Sequence, residues 1–170
     1  MGDSQGMAEA GDSGAGPSDP QDPMVGRVID GRYLLERKLG QGGMGKVYLA
    51  RQVRMNRPVA VKVVHAEHSS DPDLRARFLR EAVALAQVSH PNVLLAHDNG
   101  VTEDGLLYLV TELLEGHPLD RLVAASPHRR LPLAPTLSIL RQLALALEAV
   151  HPHLIHRDLK PHNVMVRSEP

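Results

Sequence analysis

A single lysine interrupts a run that is otherwise wholly apolar and mostly β-branched, Val59-Ala60-Val61-Lys62-Val63-Val64. Following Pro58, this run reads as a buried strand. An ammonium group on such a strand is costly unless a carboxylate meets it. The next segment offers one. Ser70-Asp71-Pro72 is a helix start, with Asp71 or Ser70 as N-cap and Pro72 in the first turn. The helix should run to about Val88, ahead of His90-Pro91. Leu74, Phe78, Leu85 and Val88 fall on one helical stripe, and Glu81 falls on the same stripe. The simplest resolution pairs Lys62 with Glu81 across the packed interface. The alternative is a snorkelling lysine beside a solvated glutamate.

The lysine strand has company. Tyr33 to Leu39 and Lys46 to Arg51 read as strands on either side of Gly40-Gln41-Gly42-Gly43-Met44-Gly45. That glycine run fits G-x-G-x-x-G, a weak signal alone. A dinucleotide fold would place a helix after the glycines, whereas Lys46-Val47-Tyr48-Leu49-Ala50 alternates like a strand. A phosphate loop of the Walker type needs Ser or Thr after Gly45-Lys46, and Val47 stands there. What remains is a strand–glycine loop–strand hairpin. It is either a flexible turn or a lid whose bare backbone N–H groups can approach phosphates. Two further strands are expected near Val93 to His97 and Gly105 to Thr111, joined by a turn-rich stretch.

Residues 1–26 are rich in Gly, Asp, Ser, Ala and Pro, and are expected to be a disordered tail, because they hold too little apolar surface to offset ordering entropy. Past Gly116 the pattern turns helical, with a short helix at Leu119 to Ala125 and a longer one from about Pro135 to Val150. The long helix is apolar on most faces, as suits the inside of a larger helical body. The best membrane candidate, Leu137 to Val150, is short and broken by Arg141 and Glu148, so no membrane segment is expected. The formal net charge of -1 gives no electrostatic reason to expect nucleic acid as a partner. With no cysteine there is no disulfide framework. Lacking a basic, apolar leader as well, the chain is expected to be cytoplasmic. His151, His153 and His156 make a poor metal site, since a rigid proline separates the first two and no carboxylate or cysteine completes the set.

Near the end stands His156-Arg157-Asp158-Leu159-Lys160-Pro161-His162-Asn163, a polar segment between apolar Leu154-Ile155 and Val164-Met165-Val166. A fixed polar loop between buried flanks is a good place for chemistry. Asp158 can accept the proton of an attacking hydroxyl. Lys160 can offset charge on a transferring phosphoryl group, and Asn163 offers a carbonyl oxygen to Mg²⁺.

These eight residues resemble the catalytic loop of eukaryotic-like serine/threonine protein kinases. Gly40 to Val47 is similar to that family's glycine-rich loop, Val59-Ala60-Val61-Lys62 to its third-strand lysine motif, and Glu81 to its helix glutamate. Lys160, two residues after Asp158, is the serine/threonine form, and the glycine loop looks most like the bacterial branch. The resemblance covers about Tyr33 to Arg167. It implies an α+β, protein-kinase-like fold: a five-stranded antiparallel N-lobe with one helix over about 27–115, and the first helices and catalytic loop of a truncated helical C-lobe over about 116–170. It implies ATP and Mg²⁺ as cofactors and a protein bearing Ser or Thr as substrate. Catalytic roles fall to Asp158, Lys160, Lys62 and Glu81, and the metal role to Asn163. ATP would be held by Leu39, Gly40, Gln41, Gly42, Gly43, Met44, Gly45, Val47 and Lys62. Ala60 and Met165 would sandwich the adenine, and the hinge at Glu112 to Leu114 would bind its edge, with Thr111 behind.

The family continues past its catalytic loop to an Asp-Phe-Gly motif whose aspartate binds Mg²⁺. No Asp-Phe-Gly occurs in these 170 residues. The 170-residue chain is therefore expected to be a kinase fragment inactive by itself. The competing expectation is a non-catalytic nucleotide-binding or regulatory module derived from a kinase N-terminal portion.

Overall fold

The computed structural model describes residues 22–167. Its elements are β1 (Val28–Ile29), β2 (Tyr33–Gly42), β3 (Gly45–Gln52), β4 (Arg57–Val64), α1 (Ala66–Ser69), α2 (Pro72–Ala86), β5 (Ala96–Val101), β6 (Leu107–Thr111), β7 (Gly116–Pro118), α3 (Leu119–Ala125), α4 (Leu133–Val150) and β8 (Met165–Arg167). Single 3₁₀ turns stand at Pro127–Arg129 and Pro161–Asn163.

Six strands form one antiparallel sheet in the order β1-β2-β3-β4-β6-β5. The five expected strands are there, and the two-residue β1 adds an edge. Register sorts the side chains, because residues opposite one another across a ladder share a face. Tyr48 lies opposite Val61, Ala50 opposite Val59, and Val61 opposite Val110. All five of these residues are fully buried, and with Ile29, Leu35, Tyr33, Val63 and Tyr108 they form the core. The three tyrosines stand where a core with one Phe and no Trp needs bulk. The other face carries the row Gly40, Val47, Lys62 and Leu109. Val47, Lys62 and Leu109 in this row are only half-buried. The sheet thus has one closed face and one partly open one, and Lys62 is on the open one.

Helix α2 begins as its sequence dictates. The Asp71 carboxylate caps it, accepting from the N–H groups of Asp73 at 2.9 Å and Leu74 at 3.1 Å, with Pro72 in the first turn. The fourth of the expected strands falls at Ala96–Val101 rather than Val93 to His97. Val93 closes a turn onto the carbonyl of His90, so pairing with β6 starts only at Ala96.

Five residues of the expected disordered tail, 22–26, are ordered; residues 1–21 lie outside the described residues. Apolar content was the wrong criterion for this stretch, because a buried carboxylate holds it. Asp22 accepts from Lys46 Nζ at 2.9 Å, from the Tyr48 hydroxyl at 3.2 Å and from the Met24 N–H at 3.1 Å. Burial pushes the Asp22 carboxyl up, but these donors outweigh it and hold it below the usual carboxylate range.

The second region is more open. β7 and β8 form a two-stranded sheet, and Gly116 allows their approach: its φ is +146° and a Cβ there would run into the Val166 carbonyl. Helix α4 starts at Leu133, two residues ahead of the expected Pro135, because Pro135 is tolerated in a first turn. At 18 residues and mean hydropathy 1.3 it is, by length and composition alone, long and apolar enough to cross a membrane, a test that the core helix of a soluble protein also passes. Only Ala146 and Val150 of it are buried.

Candidate active site

The glycine-rich segment is a tight hairpin. β2 and β3 pair to their last residues, Gly42 opposite Gly45, leaving Gly43-Met44 as the turn. Gly45 has no room for a side chain, since a Cβ would strike the Val63 carbonyl of β4. Around Gly40, Gly42 and Gly43 the space beyond the backbone is open. Leu39 and Met44 flank that space and are exposed.

Lys62 sits directly opposite Val47, two strand positions from Ala60. Burial holds its ammonium group below the usual lysine range, and the negative charge of Asp158 pulls the other way. Among the described residues Lys62 has no ion pair. The expected partner is engaged elsewhere: Glu81 accepts from Arg77 Nε at 3.0 Å, and its side chain is 53% exposed. Arg77 lies one turn back on α2, so the pair forms without ordering any second element. The Lys62–Glu81 pairing is thus not made, and Glu81 is the solvated glutamate of the alternative. The i,i+4 spacing of Arg77 and Glu81 was legible, and it was the competing signal.

The polar loop folds around Asp158. Lys160 Nζ lies 2.9 Å from Asp158 Oδ1, and Asn163 Nδ2 donates to Oδ2 at 2.9 Å and to the Asp158 carbonyl at 2.8 Å. Lys160 first and Asn163 second hold the Asp158 carboxyl below the usual range. Arg157 before it has φ 57°, a left-handed conformation rare for a long side chain and found where a structure over-determines it. The Asn163 side-chain oxygen makes no hydrogen bond among the described residues, while Nδ2 is used on Asp158.

The chain brings this loop back to the segment after the sheet. The Leu119 N–H donates to the Val164 carbonyl at 2.8 Å, and Pro118 pairs with Met165. His162 Nδ1 stands 3.1 Å from Asp120 Oδ2, a link that sequence reading missed because the partners are 42 residues apart. In the hinge stretch, the Glu112 N–H and carboxylate are both used on Leu95, at 3.1 and 3.0 Å. The Leu114 backbone has no hydrogen bond among the described residues. Between α2 and the loop lies a cavity of about 330 Å³ lined by Arg77, Arg80, Glu81, Leu154, Ile155 and Arg157.

A curled antiparallel sheet with a glycine hairpin and a half-buried lysine, followed by a polar loop in which Lys160 and Asn163 hold Asp158, is an arrangement of the protein-kinase type. Comparison with known proteins carries this further. The sequence pattern described as "Protein kinase domain" matches residues 33–170, and the chain belongs to the protein kinase family. It is 41% identical over 149 residues to the serine/threonine-protein kinase PknA of Mycobacterium tuberculosis, covering 85% of this chain and 34% of that protein. It is 36% identical over 146 residues to PrkC of Bacillus subtilis, covering 84% of this chain and 22% of that protein. The crystal structure of the M. tuberculosis PknI kinase domain superposes with a TM-score of 0.77 at 32% identity, over 85% of this chain and 57% of that one. The chain therefore spans about a third or less of these curated relatives' length.

Proposed function

We propose that this chain is the nucleotide-binding and catalytic-loop portion of a cytoplasmic serine/threonine protein kinase, one that transfers the γ-phosphoryl group of ATP to a protein hydroxyl. The observation that carries this reading is Asp158 held between Lys160 and Asn163, in a chain whose sheet carries the half-buried Lys62 on its open face.

In this reading Asp158 accepts the proton of the attacking serine or threonine hydroxyl. Lys160 neutralises charge beside it, and the half-buried Lys62 holds nucleotide phosphates from the open face of the sheet. Leu39, Val47, Ala60 and Met165 offer apolar surface to the base, and the free Leu114 backbone offers it a hydrogen-bonding edge, with Glu112 beside it. The glycine hairpin, Gly40 to Gly45 with Gln41 and Met44, covers the phosphates. Asn163 would hold Mg²⁺, which when bound screens the charge of the phosphates. Its free side-chain oxygen fits that role.

The 170 residues by themselves bind nucleotide and transfer phosphate poorly. The sequence contains no Asp-Phe-Gly, and Glu81 is held by Arg77. These two features also favour the second reading, a nucleotide-binding module without catalysis; retention of Asp158 argues against it, since binding alone does not need that carboxylate. Titration of the chain with MgATP should show saturable binding that Lys62→Met weakens, and radiolabel transfer to a generic protein substrate should be negligible. Absence of ATP binding by the folded chain sinks the nucleotide reading. Transfer that disappears in Asp158→Asn refutes the inactivity of the chain.

A further inference from the structure

Two histidines grip the glycine hairpin, and the chemistry assigned so far requires neither of them. His65 follows β4 directly, and its Nε2 lies 3.3 Å from the Gly42 carbonyl oxygen. Its backbone N–H donates to the Met44 carbonyl at 3.0 Å. His68, within α1, places Nε2 3.2 Å from the Gly43 carbonyl oxygen. A carbonyl oxygen only accepts, so both imidazoles must carry their proton on Nε2. Three successive carbonyls of the hairpin, at residues 42–44, are thus held by one four-residue segment, 65–68.

The orientation has a consequence for the other side of the turn. Within a trans peptide unit the C=O and the N–H point in opposite directions. With the carbonyls of Gly42 and Gly43 fixed on the histidines, the N–H groups of Gly43 and Met44 face away from them. Neither N–H has a hydrogen-bond partner among the described residues. Two adjacent, unsatisfied backbone donors at a glycine turn make an anion-binding concavity. Below the turn, the contact of Gly45 with the Val63 carbonyl leaves β3 no slack against β4.

We propose that His65 and His68 are positioning residues that latch the hairpin, so that the N–H groups of Gly43 and Met44 are presented to the terminal phosphates of a bound nucleotide. The phosphate role rests on the nucleotide reading above; the latch itself does not. A free glycine turn samples many orientations, and its donors meet phosphate only after that freedom is lost. The latch removes it beforehand.

The test compares the 170-residue chain with His65→Ala/His68→Ala and with His65→Gln/His68→Gln, which keeps a neutral side-chain N–H donor. Amide hydrogen exchange at position 65, whose backbone N–H donates to the Met44 carbonyl, measured without nucleotide, should accelerate about tenfold in the alanine variant, the worth of two hydrogen bonds. It should be slowed again in the glutamine variant. The ratio of ATP to adenosine affinity should fall several-fold in the alanine variant, with adenosine binding itself unchanged. Unchanged exchange overturns the latch. Faster exchange with an unaltered affinity ratio overturns its role toward phosphate. A wild-type chain that binds neither ligand overturns the nucleotide reading and the phosphate role with it, whereas the exchange rates judge the latch in every case.

Discussion

The sheet and the helical segment meet the same physical demand, burial of apolar side chains, with opposite success. In the sheet Ile29, Leu35, Tyr48, Val59, Val61 and Val110 are fully buried. In the helical segment Leu133 is 73% exposed, Ile155 66%, and Leu137 and Leu140 56% each. The sheet is complete because its strands supply one another's partners: each inward residue of β3 and β4 has a counterpart across the ladder. Helix α4 offers an apolar surface of comparable quality and finds little to pack against among the described residues. A self-sufficient region therefore holds Lys62 and the glycine hairpin, while Asp158 sits on a region whose packing is open.

The largest test of this contrast is a pair of truncations. Tyr48→Ala should destabilise the chain by about 3–5 kcal/mol, as loss of a buried aromatic does. Leu140→Ala should change stability by less than about 0.5 kcal/mol, as at an exposed site. Urea denaturation of both variants measures the difference, and equal losses would show that α4 is as well packed as the sheet.

A smaller effect sharpens the account of why the sheet is complete. Asp22→Asn should cost about 1–3 kcal/mol, because it removes the charge from hydrogen bonds donated by Lys46 and Tyr48. The sign with pH follows from the depressed carboxyl of Asp22. Its stabilisation is fully present above the ordinary value of 3.8 and is lost as pH falls through the lower folded value. Stability curves of wild type and Asp22→Asn should therefore converge below about pH 4, and a constant gap would mean that the carboxylate is not held by charge.

The smallest expected effect lies at the boundary of the two regions. The Arg77–Glu81 pair is half-exposed, and such pairs contribute about 0.3–0.5 kcal/mol. Arg77→Ala should cost the helix no more than that and should leave Glu81 free for Lys62. ATP affinity should then rise about twofold, the equivalent of that energy, in an equilibrium binding assay. Weakened binding would show that Arg77 serves the nucleotide itself.

Much of this was legible in the residues, for local reasons. The hairpin around Gly40 to Gly45, the capped start of α2 at Asp71-Pro72 and the lysine strand each depend on neighbours a few positions away. So did the polar loop from His156 to Asn163, whose internal bonds span five residues or fewer. What was not legible depended on pairs distant in sequence or on a choice among partners. Asp22 on Lys46 and Tyr48, His162 on Asp120 and the two histidines on the hairpin carbonyls leave no periodic trace, because polar side chains on turns and ends obey no repeat.

The sequence alone thus determined which chemistry the chain can carry: a lysine that must lie on a strand, an aspartate in a polar loop, and glycines where backbone must stay bare. Only the tertiary structure decided which carboxylate meets which cation. Arg77, one turn back on α2, holds Glu81, because an intrahelical pair forms with the helix while a pair to the sheet also requires two elements to close.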